Sequence, residues 1–97
     1  MLVSQGLSNI AELIELYRGD CVKGEFAKQY RNLGLNIAFF RKLKGYTQME
    51  LSELIDIDRS HMSAIELANV GASLDVIFNI CKVLEITPKD LFDFRQV

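Results

Sequence analysis

The sequence predicts an all-α fold. Apolar residues recur at helical spacing along the chain, and no segment alternates convincingly with a period of two. One proline and no tryptophan among 97 residues suit helices better than a turn-rich β protein. The reading is roughly five or six helices joined by short loops. Hydrophobic residues make up 49% of the chain and charged residues 25%, a balance for a globular domain rather than a disordered one.

The first helix is expected over Leu7 to Tyr17. Leu7, Ile10, Ala11, Ile14 and Tyr17 follow the i, i+3, i+4, i+7 pattern, and Leu13 and Leu16 widen the stripe. Ser8 or Asn9 supplies a cap, with Glu12 completing a capping-box variant, and Gly19 ends the helix. The stretch 19–24 reads as a connection. A second helix is expected from about Glu25 to Lys44, with Phe26, Tyr30, Leu33, Ile37 and Phe40 on one stripe. Gly34 weakens its interior by about 1 kcal/mol relative to alanine, which allows a break there. Gly45 stops it, and Lys42 and Lys44 suit the negative end of the helix dipole.

Four shorter segments follow. Thr47-Gln48-Met49-Glu50 is a capping box that opens a helix running to about Ile55. Asp58 caps a helix from Arg59 to about Leu67, and Ser73 caps one from Leu74 to about Leu84. Thr87-Pro88-Lys89-Asp90 opens the last, with proline at the first helical position, where its missing N–H costs little. The chain divides into an N-terminal helix with its connection (1–24) and a helical domain (25–97).

Composition limits what such a chain can do. Cys21, Cys81 and His61 are too few and too scattered for a zinc site, and the glycines form no phosphate loop. Ser60 and His61 have the types for nucleophilic catalysis, but neighbours on a helix point about 100° apart and form no dyad. No enzyme, cofactor or metal is expected. His61 reads as an exposed polar side chain and Cys81 as a small buried hydrophobe beside Ile77, Ile80 and Leu84. Cys21 lies in a connection with only Lys23 near it to favour a thiolate. No apolar run approaches the ~20 residues needed to span a bilayer. Residues 1–6 lack the basic and apolar regions of a signal peptide, so a cytoplasmic location and no membrane partner are expected. The net charge is −2 and the isoelectric point about 5.3, so any nucleic-acid binding requires positive charge gathered on one face.

The informative stretch is Thr47 to Leu67. Two short helices flank the tight Asp56-Ile57-Asp58 connection. Leu51, Leu54 and Ile55 face inward from the first, Met62 and Ile65 from the second, and Ile57 lies between them. That is the pattern of a helix-turn-helix. It leaves Arg59, Ser60, His61 and Ser63 as a polar face able to enter a major groove, although a merely solvated helix face has the same pattern.

Residues 33–92 also resemble the phage-repressor-like helix-turn-helix family, the Xre/Cro group. The matching residues are Leu33-Gly34, Ile37, Phe40-Arg41, Gly45-Tyr46-Thr47-Gln48 and Glu50-Leu51. They continue through Ser60, Met62-Ser63, Ile65-Glu66, Ser73-Leu74, Ile77, Ile80 to Leu84, Ile86 and Asp90-Leu91-Phe92. The resemblance implies a compact five-helix lambda-repressor-like DNA-binding domain with an extra N-terminal helix. It implies a sequence-specific transcriptional regulator, a repressor acting as a homodimer on double-stranded operator DNA. Gln48 falls on a phosphate-contacting position. Arg59, Ser60 and Ser63 fall on groove-facing positions, with His61, Lys44 and Asn69 as further DNA contacts. Arg59 is the best base reader, since its planar fork matches guanine O6 and N7. Arg41 and Glu66 match a structural ion pair.

The departures lie after Glu66. The family's usual glycine and basic residues are replaced by Leu67, Ala68, Asn69 and Val70, leaving Gly71 to supply the turn. The lost positive charge supports an alternative: a protein-interaction or antitoxin-like module on the same fold, with a protein partner and weak or no DNA binding. The N-terminal helix either packs on its own chain or forms a dimer interface. In the segment Leu91-Phe92-Asp93-Phe94, Phe92 matches a core position and Phe94 is a second candidate for covering a partner.

Overall fold

The longest helix, α1 (Ala27–Leu43), begins where Gly24 turns the chain. Gly24 has φ +93°, and Ala27 N–H donates to its carbonyl at 3.2 Å. The computed structural model describes residues 24–94. The expected Leu7–Tyr17 helix and Cys21 therefore lie outside the described residues. After α1 come α2 (Gln48–Leu54), α3 (Arg59–Glu66), α4 (Leu74–Leu84) and α5 (Pro88–Leu91). There is no strand among the described residues.

The helix starts follow side-chain chemistry. Thr47 Oγ1 accepts from Glu50 N–H at 3.0 Å, and Glu50 Oε1 accepts from Thr47 N–H at 2.8 Å. Thr87 and Asp90 repeat this box at α5, and Ser73 Oγ accepts from Val76 N–H at 3.2 Å. Asp58 stands at the N-cap of α3 but makes no side-chain capping bond. Lys44, Ile55 and Leu67, read as last helical residues, are the C-caps of their helices.

The five helices close over one core: Leu33 and Ile37 from α1, Leu51 from α2, Met62 and Ile65 from α3, Ile77, Ile80, Cys81 and Leu84 from α4, and Leu91 from α5. Leu54 corrects the sequence reading, since it is exposed. Leu51 and Ile55 are one turn apart and set the inner face of α2. Leu54 falls outside that face, and the small Ser52 is buried instead, its hydroxyl donating to Met49 O at 2.8 Å. Phe92 is another correction. It is exposed, whereas Phe94, proposed for a partner, is half-buried and packs on the core.

Helix α1 runs unbroken through Gly34, contrary to the break that propensity allowed. Gly34 is where α3 lands on α1. A Cβ there would sit 2.9 Å from the Ile65 carbonyl oxygen and closer still to that of Glu66. Nearby, Asn36 is buried and its Nδ2 donates to the carbonyls of Leu91 and Asp93 at 2.9 and 3.0 Å, tying α1 to the end of α5. The turn after α3 also differs from expectation. Gly71 does not take a left-handed conformation; Ala68 does, at φ 59° with its side chain buried.

Two substitutions follow, each with the sign opposite to helix propensity. Gly34→Ala is expected to cost at least ~2 kcal/mol, because the neighbours it meets are backbone and cannot yield. Glu85 ends α4 exposed at φ 57°, a conformation that costs a non-glycine residue about 1–2 kcal/mol. Glu85→Gly is expected to add about 1 kcal/mol, after allowing for glycine's larger unfolded-state entropy. Urea denaturation of both variants checks the pair.

Candidate nucleic-acid interface

Helices α2 and α3 are joined by four residues that turn sharply. Asp56 takes φ 60° at the end of α2, and Ile57 N–H donates back to Ser52 O at 3.0 Å. Ile57 then packs against the core between the two helices. This fixes the two as a helix-turn-helix unit, with α3 second.

A polar node then fixes that unit against α1. Glu66, on the last turn of α3, accepts from Arg41 Nε at 2.7 Å and from an Arg41 terminal nitrogen at 3.1 Å. It also accepts from Gln48 Nε2 at 2.9 Å. The other terminal nitrogen of Arg41 donates to Tyr46 O at 2.9 Å. The two charged side chains are 8% and 6% exposed, so this pair is shielded from solvent rather than lying on the surface. No buried side-chain polar atom among the described residues lacks a partner. One carboxylate thus joins α1, the loop after it, the start of α2 and the end of α3.

The node changes the picture of Gln48. Its side-chain nitrogen is already engaged with Glu66, leaving one N–H for anything outside. Tyr46 and Gln48 as partners in the node were not foreseen. Gln48 carried only its position at a helix start, and a carbonyl acceptor has no signature in sequence.

The outer face of α3 follows from its buried one. Met62 and Ile65 point inward, so at 100° per residue the outward direction passes through Ser60 and Leu67, with Ser63 and Ala64 on either side. Arg59 and His61 lie on opposite flanks, and Arg59 shares its flank with Glu66. Arg59, Ser60 and His61 are exposed and Ser63 is half-buried. The N-terminal part of this face is built of small side chains, Ser60, Ser63 and Ala64, while the exposed Leu67 stands at its C-terminal end. Lys44 is exposed at the end of α1, while Asn69 is half-buried in the loop, its N–H donating to Ala64 O at 2.8 Å.

Charge on this side is mixed. Lys42, Lys44 and Arg59 are exposed, but so are Glu50, Glu53, Asp56 and Asp58 along α2 and the turn. Residues 67–70 carry no charge, and Leu67 and Val70 are exposed there. Cys81 is buried in the core, and burial, followed by the charge of Asp90, raises its thiol pKa. It is a packing residue, unsuited to act as a thiolate. Among the described residues no cluster of three or more His, Cys, Asp or Glu could hold a metal ion, and no helix is long and apolar enough to cross a membrane.

Removing one half of the node leaves the other half buried and unpaired. Glu66→Ala is expected to cost ~3–5 kcal/mol, far more than an exposed pair would lose. Arg41→Met with Glu66→Leu in one chain is expected to recover part of that loss, since apolar residues replace the buried charges while Gln48 Nε2 and Tyr46 O lose their partners. Chemical denaturation of both checks this.

Comparison with known proteins agrees with this geometry. Residues 36–96 match the Cro/C1-type HTH DNA-binding domain. Over 51 residues the chain is 39% identical to control protein C.BamHI of Bacillus amyloliquefaciens, a stretch covering 53% of this chain and 63% of that protein. The chain thus spans less than two thirds of that relative's length. Among solved structures, the restriction-modification controller protein C.AhdI from Aeromonas hydrophila superimposes with a TM-score of 0.65 at 29% identity, over 67% of this chain and 98% of its own. Sequence match, helix order and the locked helix pair lead to one conclusion: the chain belongs to the Cro/C1-type HTH DNA-binding domain family.

Proposed function

We propose that the protein is a sequence-specific DNA-binding transcriptional regulator that acts as a homodimer in the cytoplasm. It represses by occupying an operator that overlaps a promoter, and it uses no cofactor and no catalytic step. The observation that carries this reading is the outer face of α3. The helix is held rigidly by the Arg41–Glu66–Gln48 node while Ser60, Ser63 and Ala64 stand on its uncovered side. The relatives named as control and controller proteins of restriction-modification systems support regulation as the output.

Each contact has an assigned role. Arg59 reads a guanine edge from the flank of α3, and Ser60, His61 and Ser63 donate to nearby bases or phosphates. Gln48 gives its remaining N–H to a phosphate, at the N-terminus of α2 where an anion is favoured. Lys44 and Asn69 hold phosphates on either side. Two-fold symmetry sets the two half-sites about 34 Å apart.

A second reading has its own support. The exposed acidic edge of α2 and the uncharged loop at 67–70 suit a protein partner, as in an antitoxin-like module, better than a phosphate backbone.

Selection from a random duplex pool, repeated over a salt series, separates the two. A two-fold symmetric winner is expected, with a log–log salt slope of about −0.9 for each phosphate neutralised. Arg59→Ala is expected to cost ~1–3 kcal/mol and to relax preference at one base position, whereas Gln48→Ala weakens all sequences alike. No enrichment at low salt overturns the operator reading and favours the protein-partner one.

A further inference from the structure

The outer line of α3 ends on an apolar side chain that the contacts assigned above leave unused. Leu67 is the C-cap of the helix, with αR backbone angles, and its N–H donates to Ser63 O at 3.0 Å. Its side chain therefore continues the helical order of directions. At 100° per residue it points within about 20° of Ser60, away from the buried Met62 and Ile65. Leu67 is 53% exposed and takes no part in the core. Since Ser60, Ser63 and Ala64 are small, it is the largest side chain on that line.

We propose that Leu67 is a specificity-determining residue that selects thymine, by packing against its C5-methyl group in the major groove. This deepens the operator-binding reading and rests on it. The chemistry of the groove picks the base. Its hydrogen-bonding edges suit Arg59 and Ser60, whereas the thymine methyl is the one apolar group a base pair presents there. A leucine pressed on a base amino group, a carbonyl or a phosphate strips water from it and returns no hydrogen bond. Pressed on a methyl, it takes apolar surface out of water on both sides. Spacing places the contact. Ser60 and Leu67 are seven residues apart, a rise of about 10 Å, or about three base steps of roughly 3.4 Å. A helix lying along the groove therefore sets Leu67 over a base about three steps from the one at Ser60, within the same half-site. The position is also stiff. Glu66, the preceding residue, is held by Arg41 and Gln48, and Ala68, the following one, is buried. Leu67 thus meets the groove with its backbone already fixed, and little ordering cost is left to offset the contact. Its alignment with Ser60 favours DNA over a protein partner, because a duplex that seats Ser60 in the groove meets Leu67 on the same face.

The test removes single methyl groups from the selected operator. Each thymine of the winning duplex is replaced in turn by deoxyuridine, at equivalent places in both half-sites. This deletes the C5-methyl and leaves every hydrogen-bonding group in place. Binding to the full chain is compared with binding to Leu67→Ala and Leu67→Met, both expected to fold because the side chain lies outside the core. At one position deoxyuridine is expected to weaken the wild-type chain about fourfold per half-site, the worth of one buried methyl. At that position Leu67→Ala is expected to bind the two duplexes alike, and Leu67→Met to keep most of the preference. A series with no sensitive thymine overturns the assignment. Sensitivity that persists undiminished in Leu67→Ala belongs to another side chain, such as Ala64, and overturns it as well. Both of these results leave operator binding standing, whereas failure of any duplex to enrich removes that reading and the role of Leu67 with it.

Discussion

The Glu66 carboxylate is the constraint on which the rest of the domain turns. A charge held at 6% exposure is expensive unless its lone pairs are satisfied, and here both oxygens are: Arg41 takes them in a two-point fork and Gln48 adds a third donor. The donors come from different parts of the chain, so the carboxylate fixes a distance and an angle between three helices at once. Apolar contacts among Leu51, Met62 and Ile65 supply the attraction that collapses α2 and α3 but tolerate small slips. A bidentate pair does not tolerate them. Arg41 in turn needs Tyr46 O, which fixes the loop that delivers Thr47 to its capping position. The orientation of α3 is therefore specified by hydrogen-bond geometry, with hydrophobic burial supplying the cohesion.

Gly34 is the steric counterpart of that node. The node pulls the end of α3 onto α1, and only a residue without Cβ leaves room for the Ile65 and Glu66 carbonyls. Local cost was accepted there for a tertiary contact, since glycine inside a helix is about 1 kcal/mol worse than alanine. The same trade recurs just beyond. Ala68 turns the chain away from α3 at φ 59°, a conformation glycine adopts more easily, while its methyl is buried. Burial of that methyl, ~0.8 kcal/mol by area, offsets part of the backbone strain.

Much of this was legible in the residues. The capping boxes at Thr47 and Thr87 and the cap at Ser73 are local chemistry written within four residues, and all three form. The core stripes of α1, α3 and α4 are periodic, and periodicity survives in sequence, except that Phe26, read on the α1 stripe, stands at the N-cap and is exposed. What failed to show was non-local. Asn36 looks like any polar residue on a helix until Leu91 and Asp93 arrive with their carbonyls. Leu54 looked internal because its helix is too short for period alone to choose between neighbouring faces. Phe92 and Phe94 sit in an irregular ending where no period applies, so their exchange of inner and outer places was invisible. Gln48, Arg59, Ser60, His61 and Ser63 were legible as positions on helices. Gln48's engagement with Glu66 was not, because it depends on where a residue 18 positions away comes to rest.

On the proposed reading, the face of α3 also limits how the protein can bind. Three exposed cations near the helix-turn-helix are set against four exposed carboxylates on α2 and the turn. Long-range attraction to a phosphate backbone is therefore weak, and non-specific DNA is held poorly. What remains is short-range. Ser60, Ser63 and Ala64 allow the α3 backbone to approach the base edges, and Arg59 provides one strong directional contact from the flank. A single subunit built this way discriminates better than it adheres. Two subunits joined by symmetry add their contacts to one site without each carrying the cost of independent association, which raises affinity most where both half-sites fit. On that reading a sparse, nearly neutral reading head favours a two-fold operator, because each half brings little positive charge of its own to the duplex.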